Sequence, residues 1–196
     1  MERDIDAKVL EWFKPLQDER FDEYVKRFAK QIETREPFAL VGNSLGGIMV
    51  IELSKLMSPE KVIIISSVKQ RKELPIYIRL GKYISILRKG TGYSYTGLNR
   101  FLVRLLQLQN QEAFLQTVLE MHRDADKEFV RWAIDKVMKW ENKTYPNQLL
   151  HLHGTRDLLF PIIFIKNCVR IEGGSHMMLM ERPDEVIPLI LEYLES

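Results

Sequence analysis

The chain has 196 residues and is 45% hydrophobic, which suffices for one sizeable core and predicts a single domain with room for a subdomain. Lys+Arg 29 against Asp+Glu 27 leaves a net charge of +2, too balanced for the basic footprint of phosphate-backbone binding, so we expect no nucleic-acid partner. The single cysteine, Cys168, excludes an internal disulfide and fits a reducing compartment. With no run near the roughly 18 apolar residues of a span, and no basic-then-apolar start, we expect a cytoplasmic protein without stable membrane insertion.

Residues 21–33 place Phe21, Tyr24, Val25, Phe28, Ala29 and Ile32 at helical spacing with charges opposite, predicting an amphipathic helix. Short apolar runs at 37–42 and 61–66, bounded by Pro, Gly and Ser, read as strands buried on both faces of a parallel sheet. Residues 45–57 between them are long and periodic enough for the crossover helix of a β-α-β unit. From 68 to 146 the rhythm changes: "TGLNRFLVRLLQLQ", "QEAFLQTVLEMH" and "DKEFVRWAIDKVMKW" read as three helices with no strand between them. The basic, apolar stretch before them is broken by Pro75 and by glycines at 81, 90 and 92.

We therefore divide the chain into a core, 1–67 with 147–196, and a helical insertion, 68–146, that forms either a cap over a pocket or a layer closing the core. Strand-like runs return at 147–154 and 168–174. A final helix over about 183–195 has Pro183 in its first turn and acids just behind it, opposing the helix dipole. Alternating strands and helices, interrupted by an all-helical block, define an α/β fold with a mainly parallel sheet.

The chemistry gathers around "GNSLGG" at 42–47, where a buried strand ends and a helix begins. A serine on such a turn has strained dihedrals that lift its hydroxyl above the sheet edge, with the small residues at 42, 46 and 47 allowing close backbone approach. The alternative is a serine that merely caps the helix. A serine nucleophile needs a base and a group to orient that base. In "HLHGTRDLLFP" Asp157 follows an apolar strand, and in "RIEGGSHMML" His176 follows another. All three candidates lie beyond the carboxyl ends of predicted strands, where parallel sheets build their sites. Asp124, Asp126 and Glu172 are weaker acids because none sits in such a loop, and His122 reads as a surface residue near a helix end. His151 and His153 alternate on one strand, but no third ligand has suitable spacing for a metal. Asn142-Lys143-Thr144 matches a glycosylation acceptor, a pattern too short to argue secretion. No nucleotide, flavin or metal motif is present, so no cofactor is expected.

At these residues the chain resembles the α/β-hydrolase superfamily: "GNSLGG", "HGTRDLLFP" and "GGSHMMLMERPDEV" look like its nucleophile elbow, acid loop and histidine loop, in its chain order. The resemblance runs from about residue 7 to the end. It implies Ser44 as nucleophile, His176 as general base and then acid, Asp157 as orienting carboxylate and the Leu45 N–H as one oxyanion donor. The implied activity is hydrolysis of an ester, thioester or amide of a small or medium apolar compound through an acyl-enzyme; the same triad also supports C–C bond hydrolysis and acyl transfer. The rivals are a binding protein that keeps the scaffold without turnover and a truncated hydrolase fragment.

The family's second oxyanion donor comes from a Gly-rich loop well before the elbow, and the 36 residues preceding Pro37 contain no glycine. By analogy with single-donor deletions, a hydrolase without it is expected to run roughly 10²–10³ slower. "AKVLEWF" at 7–13 resembles the family strand that precedes the helix at 21–33, although its spacing also permits a helical turn. If it is that strand, the fold is N-terminally abbreviated and a central neighbour is missing. Pairing of 7–13 with 37–42, a homodimer, or a longer parent chain would each cover that gap.

Overall fold

The computed structural model describes residues 5–33, 36–80 and 127–196. Four strands, β1 (Ala39–Asn43), β2 (Lys61–Ile65), β3 (Leu149–Gly154) and β4 (Val169–Ile171), form an all-parallel sheet in chain order. Val41 lies opposite Ile63, and Ile63 opposite Leu150. The expected crossover between β1 and β2 is helix α2 (Leu45–Leu56).

Strand side chains alternate between faces, so a continuous apolar run such as β2 feeds two cores at once. Val62 and Ile64 join Leu40, Ile48, Ile51 and Leu53 on one face, beneath α1 (Phe21–Ala29) and α2. Ile63 and Ile65 join Leu152 and Ile171 on the other. That second face is covered by Met178 of α4 (Met178–Glu181) and Val186 of α5 (Pro183–Glu195). Burying each such aliphatic side chain contributes about 1.5–3 kcal/mol, and β2 supplies four of them. Over β1, Val41 on the second face stays 48% exposed.

The described ends of the 68–146 stretch are knitted to the α2 face. Leu74 and Ile78 are buried there, and the Trp132 ring of α3 (Lys127–Lys139) packs at a tilt against Tyr24 with centroids 4.4 Å apart. The Trp140 indole donates to Glu52 at 2.8 Å, and the Arg71 guanidinium to the Trp140 carbonyl at 2.7 Å. The helices expected at "TGLNRFLVRLLQLQ" and "QEAFLQTVLEMH", with His122, Asp124 and Asp126, lie outside the described residues. No helix among the described residues is long and apolar enough to cross a membrane.

Two boundaries and one segment differ from expectation by more than two residues. The first helix ends at Ala29 rather than 33, because the amides of Lys30, Gln31 and Ile32 bond carbonyls three residues back and tighten the chain out of the α-helix. β4 stops at Ile171, whose carbonyl accepts from both Thr155 and Gly174 as the chain turns. Residues 7–13 form neither strand nor helix. Their backbone groups are taken by side chains instead: the Tyr24 hydroxyl donates to the Phe13 carbonyl at 2.8 Å and accepts its amide, while the Gln31 amide does the same for Glu11. Trp12 and Phe13 pack on Phe28 and Tyr24 with tilted rings, so this segment is anchored to α1 and does not pair with β1.

Candidate functional site

Ser44 separates the last residue of β1 from the first of α2 and holds φ +52°, ψ −116°, a conformation costing a non-glycine residue about 1–3 kcal/mol. The Ser44 amide donates to the Ile65 carbonyl at 2.9 Å, so the ladder to β2 runs one residue past the strand before the chain turns. Ser44 stands at the N-cap position of α2 yet makes no capping bond. Its hydroxyl instead lies 2.9 Å from His176 Nε2, which removes the helix-cap alternative.

The glycines around it have unequal roles. A Cβ on Gly42 would overlap the Gly46 carbonyl, and one on Gly47 would overlap the Ser67 side chain. Gly46, expected to need its smallness, faces open space: its backbone is what approaches Gly42, while its own missing side chain crowds nothing.

Asp157 and His176 arrive on two loops locked together. Beyond β3 and β4, the Thr155 amide donates to the Ile171 carbonyl and the Arg156 amide to Gly174, with Gly154 packed directly on the Gly174 carbonyl. Asp157 is 2% exposed; Oδ1 accepts the amides of Leu159 and Phe160, both at 2.8 Å, and Oδ2 lies 2.9 Å from His176 Nδ1. A carboxylate only accepts, so Nδ1 carries the proton and the lone pair of Nε2 faces Ser44. Phe160 meets the His176 ring edge-on at 5.6 Å, and the Ser175 hydroxyl, tied to Glu181 at 2.6 Å, fixes the base of that loop. The structure thus brings Ser44, His176 and Asp157 into one hydrogen-bonded line. Glu172 is left outside it, accepting from the Thr155 hydroxyl.

Ser44 opens onto a cavity of about 250 Å³. Leu45 and Ile48 of α2, Ile78, Val137 of α3 and Leu159 form part of its wall, and Ser44 is the only polar side chain among the described lining residues. The 68–146 stretch therefore supplies much of the wall facing Ser44.

No protein-family model and no curated protein matches the chain. Among solved structures, a thermophilic esterase from Thermogutta terrifontis matches with TM-score 0.64 at 16% identity, over 90% of this chain and 72% of that one. A bromoperoxidase from Bacillus anthracis matches with TM-score 0.65 at 17% identity, over 94% and 77%. An epoxide hydrolase from Bacillus megaterium matches with TM-score 0.62 at 12% identity, over 89% and 76%. The chain has the α/β-hydrolase fold. In the α/β-hydrolase fold of this chain, Ser44, Asp157 and His176 follow β1, β3 and β4 along one sheet edge.

Sequence reasoning missed the buried polar groups behind that edge. Lys69 and Glu73 are each 1% exposed and pair at 2.8 Å. The Lys69 ammonium also donates to His151 Nδ1 and the Lys166 carbonyl, so His151 Nε2–H is left to donate to the Ser67 carbonyl at 3.1 Å. Burial, reinforced by Lys69 and His153, pushes the His151 pKa down to about 2. His153 is likewise held below the usual range by burial, although the Asp157 charge opposes this; its Nε2–H donates to the Phe160 carbonyl at 2.8 Å. His151 is committed at both ring nitrogens and His153 at Nε2, while His153 Nδ1 has no partner among the described residues. The available signal was Lys69 four residues before Glu73 at the end of an apolar strand. Asn142 is buried, its amide donating to the carbonyls of Lys69 and Thr144, so the acceptor pattern there belongs to the interior.

Proposed function

We propose that this protein is a serine hydrolase cleaving an ester, thioester or amide of a small or medium apolar compound through an acyl-enzyme. The observation that carries this reading is the continuous line Ser44 Oγ, His176 Nε2, His176 Nδ1, Asp157 Oδ2, with both links at 2.9 Å. It opens on a cavity whose described wall, apolar apart from Ser44, suits an acyl or alkyl group.

His176 Nε2 takes the hydroxyl proton as Ser44 Oγ bonds to the substrate carbonyl carbon, and the carbonyl π pair moves onto oxygen. The Leu45 N–H, at the first turn of α2 and without an acceptor among the described residues, donates to that oxyanion, and the helix dipole favours the same charge. Collapse breaks the bond to the leaving group, which takes the proton from His176. Water then adds by the same route, His176 accepting its proton, and releases the acid and Ser44. Asp157 keeps the proton on Nδ1 throughout and stabilises the imidazolium.

Intact mass after incubation with a small fluorophosphonate, beside a Ser44→Ala control, tests the reading. One adduct on the parent and none on the control is expected. A parent that melts cooperatively yet gains no adduct overturns it.

A further inference from the structure

Ser67 is fully buried, lies two residues beyond β2 and takes no part in the reaction as written. Its hydroxyl donates to the Ser44 carbonyl at 2.7 Å, and the same oxygen accepts the Gly47 amide at 3.0 Å. A trans peptide is planar, with its C=O and N–H directed oppositely, so fixing the Ser44 oxygen also fixes the Leu45 N–H. We propose that Ser67 is a positioning residue for oxyanion stabilisation: it holds the Ser44–Leu45 peptide in register and polarises it, so that the Leu45 N–H meets the developing charge. This deepens the serine-hydrolase reading and rests on it.

The surroundings are arranged around that one hydroxyl. Ser66 turns the chain with φ +47°, bringing Ser67 under the elbow. Gly47 makes room, since any Cβ there would occupy the place of the Ser67 side chain. The Ser67 carbonyl is held by His151 Nε2–H, whose opposite nitrogen accepts from Lys69. A chain of hydrogen bonds polarises its members, so an oxygen accepting two donors leaves its peptide N–H a stronger donor.

The experiment compares Ser67→Ala with the parent on an aryl ester and its thiono counterpart, whose sulfur accepts hydrogen bonds poorly. For Ser67→Ala, kcat on the ester is expected to fall about tenfold to a hundredfold, less than outright loss of a donor, with KM within about twofold. The ester-to-thionoester ratio of kcat/KM should fall about tenfold, and the Leu45 amide resonance should shift; a purely packing role would leave the ratio unmoved. Ser67→Cys, which keeps most of the volume with a weaker donor, gives the same readout if the alanine variant fails to fold. An active parent whose ratio is unchanged in a folded variant overturns the role of Ser67 alone. A folded parent inert to the fluorophosphonate and to both esters overturns the hydrolase reading and this inference together.

Discussion

Replacing Lys69 by methionine should be among the most damaging single changes outside the line of Ser44, His176 and Asp157. The ammonium is 1% exposed, and its three donors go to Glu73, His151 and the Lys166 carbonyl. Glu73 accepts in addition the amides of Lys69 at 2.9 Å and Lys166 at 3.2 Å. Both ions are therefore fully hydrogen-bonded, the condition under which a buried pair offsets its desolvation. Lys69→Met leaves a carboxylate in the interior without a countercharge, and strips the His151 ring and the Lys166 carbonyl of donors. Breaking a buried pair from one side costs about 3–5 kcal/mol. Against the roughly 5–15 kcal/mol that holds a domain together, a fifth or more of the stability would go.

Urea unfolding at pH 7.5 measures this loss, with the m-value checking that the native and unfolded states keep their compactness. Adding Glu73→Gln removes the stranded charge but keeps an acceptor for only one of the two amides, which meet different carboxylate oxygens, so the double variant should recover part of the deficit. A single-variant loss below about 1 kcal/mol, or a double variant less stable than Lys69→Met, would refute the buried-pair argument.

Two further predictions follow from the same contacts. Gly42→Ala should cost at least about 1–3 kcal/mol, because its methyl meets rigid backbone at Gly46, whereas Gly46→Ala should gain up to about 1 kcal/mol by removing a helical glycine into open space; thermal melts giving the reverse order would sink the reading of the elbow. Stability should also fall with acid: His151 has a folded pKa near 2 against an unfolded value of about 6.5, so below 6.5 the unfolded chain binds the extra proton. The loss should be about 2 kcal/mol between pH 7.5 and 5, with His153 adding in the same direction, and an unchanged urea midpoint over that interval would contradict it.

Much of this was legible because the signals were local. The strands at 39–43, 61–65 and 149–154 and the helix from Pro183 to Glu195 follow from apolar runs and their punctuation, and the meeting of Ser44, Asp157 and His176 follows from parallel strands ending on one edge. What was not legible depended on partners far apart in the chain. Nothing near residue 7 announces that Tyr24 and Gln31 will take the backbone bonds of Phe13 and Glu11, so "AKVLEWF" suggested strand where none forms. Lys69 looked like one more charge in a basic stretch because its acceptors at 151 and 166 lie some 80 to 100 residues away. Gly46 was overread because the letter pattern treats three glycines alike, while only the backbone path separates them.

One rule of sheet geometry accounts for the strain at this edge. Past each of three consecutive strands, the ladder continues for one more residue: Ser44 donates to Ile65, Ser66 to Leu152 and Thr155 to Ile171. A chain held extended for that bond, and then required to leave the sheet at once, must turn sharply, and Ser44 and Ser66 do so at φ +52° and +47°. The third exit turns into the Asp157 loop, where Gly154 meets the Gly174 carbonyl without a side chain between them. Strain at Ser44 is therefore maintained by the ladder bond to Ile65 before it and the Ser67 hydroxyl on its carbonyl after it. The half-buried hydroxyl of Ser44, facing the cavity, and the fully buried one of Ser67 are two consequences of the same pair of exits.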